Sequence, residues 1–167
     1  VPLWAADAPR TDDAERRRYT AVRATAPVVV DAQLDEAVWS GPPTFELAFE
    51  TRPGENVPPP VRSEGWIAFD DRNFYFAFKA YDPEPQKIRA RYTDRDRAFQ
   101  DDFIGVVLDT FNDERRAFEF FVNPLGVQMD LIQDDVVGNE DESWDAIWSS
   151  AGRLTAEGYV VEVAIPL

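Results

Sequence analysis

The sequence predicts an all-β chain, an antiparallel two-sheet sandwich of immunoglobulin or jelly-roll type with one short helical turn near residues 34–39. Three observations carry that expectation. Apolar and polar residues alternate at period two over 61–69 and again over 74–81. Short β-rich runs recur about every ten residues, punctuated by Gly, Pro, Asn and Asp. There is no βαβ rhythm, no internal repeat, and no run near the roughly 18 apolar residues that a membrane helix requires.

The elements follow in order. Val1-Pro-Leu-Trp-Ala-Ala6 reads as the end of a removed leader, and the charged stretch 7–18 as a disordered arm, leaving 19–167 for the folded domain. Residues 26–31 are a strand candidate. Leu34-Asp-Glu-Ala-Val-Trp39 forms a single helical turn with Trp39 and Leu34 packed inward, stopped by Gly41-Pro42-Pro43. Residues 45–51 make a short strand and 53–60 a Pro-rich loop.

Asp70-Asp-Arg-Asn73 joins the two alternating runs into a hairpin. Further strands are expected at 103–110, 118–122, 126–132, 146–154 and 159–165. The expected core comprises Phe74, Phe76, Phe78, Val107, Phe120, Val122, Val161 and Val163. The chain ends directly after a strand and a proline, so more of a larger polypeptide is expected to follow.

Composition excludes several function classes. The 167 residues fit one domain with a core of its own. Net charge is −15, which repels nucleic acid and anionic lipid, so neither nucleic-acid binding nor membrane insertion is expected. Cysteine and histidine are absent, which removes disulfides, Ser-His-Asp and Cys-His nucleophiles and His-ligated metals.

Val30-Asp-Ala-Gln-Leu-Asp-Glu-Ala-Val-Trp39 resembles the opening of family 9 carbohydrate-binding modules, with Ala32 where that family usually has glycine. The hairpin from Trp66 to Phe78, running into Asp82-Pro83, is similar to their next block. Three further segments resemble a narrower branch, found at the N-terminus of bacterial proteins whose remainder is a predicted outer-membrane β-barrel. They are Asp102–Asp113, Phe121–Asp130 and Trp144-Asp-Ala-Ile-Trp148. The resemblance spans 28–166 and implies a sandwich that binds carbohydrate without catalysis, in an extracytoplasmic setting.

Sugars are bound by aromatic faces against C–H patches and by planar polar groups that pair with hydroxyls. Trp144 lies behind the polar stretch Glu140-Asp-Glu-Ser143 and is the first choice for an exposed platform. Trp148 and Tyr92 stand near it, although either tryptophan also suits a core role. Arg91 and Gln128 are the chosen hydroxyl partners, with Gln128 expected to face away from the core.

The resemblance also implies structural calcium. Two acidic clusters offer oxygens: Asp94, Asp96, Asp101 and Asp102, and Asp130, Asp134, Asp135, Asp141 and Asp145. Neither has an EF-hand spacing, and solvated acidic loops remain the alternative. Two rival readings stand beside carbohydrate binding. One is a cell-envelope interaction domain without sugar binding, and the other a catalytic fragment pairing Asp102 or Asp109 with Asp145.

Overall fold

The computed structural model describes residues 17–50 and 53–167, so the expected arm over 1–18 falls almost wholly outside them. Ten strands run through the described residues: β1 (Val22–Arg23), β2 (Phe45–Glu46), β3 (Ser63–Phe69), β4 (Asn73–Tyr81), β5 (Ile104–Leu108), β6 (Arg116–Val122), β7 (Gln128–Asp134), β8 (Asn139–Asp141), β9 (Ser149–Thr155) and β10 (Gly158–Pro166). One sheet has the order β1-β3-β4-β10-β9, with β2 also on β3, and the other is the meander β5-β6-β7-β8. Every pairing is antiparallel except the two-residue contact of β1 with β3. Among the described residues the helical content is two 3-10 turns, Ala37–Trp39 and Pro85–Lys87.

Local chemistry sets the turns. Asp70 Oδ1 accepts the Arg72 and Asn73 amides at 2.7 and 2.8 Å and closes the β3–β4 hairpin. Asn123 Oδ1 likewise accepts the amides of Leu125 and Val127, closing β6 onto β7 with Gly126 at φ 85°. That turn passes against β9. A Cβ on Gly152 would sit 2.4 Å from the Gly126 nitrogen and 2.7 Å from the Pro124 oxygen, both backbone atoms. Gly152→Ala is therefore expected to destabilise by about 1–3 kcal/mol in thermal melts. Gly41→Ala, where a Cβ meets nothing within 4 Å, leaves the melt in place.

The core lies between the sheets. Phe76 and Phe78 of β4, Ile104 of β5, Phe120 and Val122 of β6, and Val161 and Val163 of β10 interlock there with Trp148, and Phe74 packs half-buried at its margin. Val107 departs from expectation: it is 54% exposed. The apolar run of β5 carries no polar residue to mark its parity. Ile104, Val106 and Leu108 face the core, so Val107, opposite Glu119, faces out.

A second cluster covers the outer face of the larger sheet. Trp39, Ala68, Tyr75, Ala77 and Ala164 are buried there under Val28, Val30 and Leu34. The stretch 26–31, expected as a strand, joins no ladder, and side chains take the amides of Val29 and Asp31 and of the adjoining Ala32. Val29 N–H donates to Glu36 Oε1, and Asp31 and Ala32 N–H donate to Glu162 Oε2 at 3.0 and 2.6 Å. Trp39 Nε1 donates to the other oxygen of Glu162 at 2.9 Å. Glu162 thus fastens the N-terminal strap to β10 at Asp31, Ala32 and Trp39, and Arg153 Nε of β9 donates to the Ala32 carbonyl at 3.0 Å. Burial pushes the Glu162 pKa upward, outweighing the donors that pull it down.

Candidate functional site

Past Pro85–Lys87 the chain runs without regular structure along the open edge of β7, beyond the reach of β8. Asp96 N–H donates to the Gln128 carbonyl and Asp130 N–H to Asp96 Oδ1, standing in for a neighbouring strand. Arg95 is thereby aimed into the end of the sandwich. Its guanidinium meets the Asp130 carboxylate in a short contact, Asp145 Oδ1 at 3.1 Å, Asp96 Oδ2 at 3.7 Å, Gln128 Oε1 at 3.1 Å and the Ala146 carbonyl at 2.8 Å. Asp130 Oδ2 in turn accepts the Ala146 amide at 2.6 Å. Burial pushes the Asp96 carboxyl up, with the Asp130 and Asp145 charges adding to it.

This network corrects the expectation for Gln128. It lies opposite Val122, so it sits at the inner end of β7, where its amide also donates to the Trp148 carbonyl at 3.0 Å. Met129 and Leu131 occupy the outer face, which is itself buried. With both faces covered, alternation alone does not reveal which side is the core.

The remaining expected sugar contacts do not assemble into one platform. Trp148 is 7% exposed, edge-on to Phe120 at 5.3 Å, so its ring is a core side chain and offers no open face. Trp144 is half-buried against Phe118 and Phe120 at 5.1 and 5.9 Å, rather than standing free on its loop. Arg91 donates through Nε to Asp101 Oδ1 at 2.8 Å. Tyr92 alone presents an open ring, at 82% exposure.

The two acidic clusters meet. Asp96 from the first and Asp130 and Asp145 from the second have carboxylate oxygens within 4.8 Å of one another, the one such group among the described residues. The other acids have local partners or stand exposed. Asp101 is buried, which pushes its carboxyl up, but Arg91 and Asn123 hold it below the ordinary range. Asp102 accepts the Arg89 amide, Asp134 pairs with Arg116, Asp135 accepts from Gln133, and Asp141 caps Ser143. Asp94 is exposed.

A different place offers unengaged binding groups. The β5–β6 and β7–β8 loops flank an open cavity of about 460 Å³ lined by Phe111, Asp113, Arg115, Arg116, Asp134, Val136 and Val137. The Phe111 ring is 73% exposed, yet its loop is firmly tied. Asp109 accepts the Phe111 and Glu114 amides at 3.1 and 2.8 Å, with Asn112 and Glu114 in the left-handed region at φ 54° and 55°. These bonds, that from Glu114 foremost, hold the Asp109 carboxyl low.

Asp134 anchors the facing loop through the Val136 and Val137 amides. The Arg115 guanidinium has no ion pair or hydrogen bond among the described residues. By contrast, the Tyr81 ring beside another cavity is already capped by Lys79 and Arg62, at 4.6 and 5.5 Å from its centroid. Phe111 is not among the residues expected from the sequence, although it is an aromatic residue inside the polar turn Asp109–Asp113, the same signal that singles out Trp144.

No family profile and no curated protein matches the chain. Among solved structures, the fold is similar to that of a family 9 carbohydrate-binding module from Caldicellulosiruptor kristjanssonii in complex with cellotriose. The TM-score is 0.52 and the identity 16%, over 88% of this chain and 66% of that one. The likeness is one of fold, a two-sheet β-sandwich.

Proposed function

We propose that the domain is a non-catalytic carbohydrate-binding module that takes a neutral oligosaccharide in the cavity between the β5–β6 and β7–β8 loops. The observation that carries this reading is the exposed Phe111 ring held on a tied loop beside the unengaged Arg115 guanidinium. An apolar ring suits the C–H face of a pyranose, and a planar guanidinium pairs with vicinal hydroxyls. The likeness in fold to a module bound to cellotriose supports the ligand class. The charge of −15 favours an uncharged glycan over an acidic one.

Catalysis has little to work with. Asp145 is paired with Arg95, Asp102 with Arg89 and Asp109 with its own loop, so none stands as an acid–base couple over a cleft. The resemblance to barrel-linked envelope domains supports an extracytoplasmic setting within a larger polypeptide.

Phe111→Ala tests the site. Loss of one stacking face, worth about 1–2 kcal/mol, weakens saccharide affinity roughly five- to thirtyfold in calorimetric titration. The melting temperature stays in place, because the ring packs on little. Unchanged affinity in this variant would move the site elsewhere.

A further inference from the structure

We infer that the Arg95 guanidinium occupies the place a divalent cation would take among Asp96, Asp130 and Asp145, so that this domain holds the cluster together without calcium. Three carboxylates from separate stretches converge within 4.8 Å, the arrangement expected of a cation site, and a cation of the chain's own already sits among them. The oxygens left over do not suffice for a second. Asp130 gives one oxygen to Arg95 and the other to the Ala146 amide, and Asp96 Oδ1 is engaged by the Asp130 amide. Calcium requires six to eight oxygens, and with Arg95 in place the side chains can offer only Asp96 Oδ2 and the Asp145 carboxylate.

The guanidinium also does what a spherical ion does not. Its planar fork reaches the Gln128 side chain and the Ala146 carbonyl, joining the irregular segment before β5 to β7 and to the loop that carries Trp144 and Trp148. An internal arginine makes this junction independent of the metal content of the surroundings.

The test is a set of thermal melts of the full chain in calcium and in chelator, with calorimetric titration of calcium alone. For the wild type the two melts superimpose. Arg95→Ala leaves the buried Asp130 unpaired and lowers the melting temperature by roughly 6–20 °C. Calcium then fills the vacated place and restores part of that drop, because a ligand of the native state alone stabilises it. If this variant is unfolded in chelator, far-ultraviolet circular dichroism reads the same effect as refolding on addition of calcium. Two results would overturn the inference: a wild-type calcium response that Asp130→Asn abolishes, or an Arg95→Ala variant that calcium neither stabilises nor refolds.

Discussion

Glu162→Ala is expected to destabilise the domain by about 3–5 kcal/mol, enough to move the melting temperature by roughly 6–20 °C. Glu162 is 1% exposed and accepts three hydrogen bonds, from the Asp31 and Ala32 amides and the Trp39 indole. Alanine leaves two of those donors, at Ala32 and Trp39, buried without an acceptor, and unsatisfied buried donors account for about 1–3 kcal/mol each. The strap over the outer face of the larger sheet then loses its anchor, and Val28, Val30 and Leu34 lose their seat. Hydrogen exchange is expected to rise first over 28–40, while the sandwich core stays protected.

The same residue sets a pH dependence. Its folded pKa lies above the unfolded value because it is buried. Its contribution to stability is therefore complete below the unfolded carboxylate value of about 4.3 and is lost as pH rises through the raised folded value. The gap in melting temperature between wild type and Glu162→Ala is expected to be wider near pH 4 than at pH 7. A gap that widened toward neutrality would show that the three donors prevail over burial.

The second large effect separates packing from recognition. Trp148→Ala removes a core ring that lies edge-to-face on Phe120 and is expected to lower stability by about 3–5 kcal/mol. Its indole N–H is buried without a partner among the described residues, so Trp148→Phe deletes an unsatisfied donor along with some volume and is expected to lose less than about 1.5 kcal/mol. Saccharide affinity of the folded Trp148→Phe protein is expected to equal that of the wild type. A folded variant with lost affinity would return Trp148 to the binding site and weaken the assignment to Phe111.

The sandwich was legible because two sequence signals agree with packing. The β3–β4 hairpin carries alternation and turn chemistry together, and both reappear in the register of Ile67 with Phe76 and Gly65 with Phe78. The Leu34–Trp39 turn was legible as a motif, and its tryptophan does pack inward. Parity failed where a strand carries no polar marker or has both faces covered. β5 carries no polar marker, which hid the outward Val107, and β7 buries Met129 on one face and Asp130 on the other.

The site was less legible for a related reason. Trp144 and Trp148 follow an acidic loop in sequence, but the Arg95 network draws that loop back against β7 and turns both rings toward Phe120. That pull comes from a residue some 50 positions earlier, and local composition does not report it. The convergence of Asp96, Asp130 and Asp145 is likewise a product of the fold, since their spacing along the chain matches no loop motif.

The most direct test of carbohydrate binding at the loop-tip cavity is a nitrogen–proton correlation spectrum of the full chain. It is recorded during titration with cellotriose and a panel of other neutral oligosaccharides. Saturable shifts are expected at millimolar ligand or below, confined to amides of 109–116 and 134–137, and displaced roughly five- to thirtyfold to higher ligand concentration in Phe111→Ala. Shifts centred on Trp144 or Tyr92 would contradict the assigned site, and a spectrum unmoved by every neutral saccharide at millimolar concentration would contradict carbohydrate binding itself.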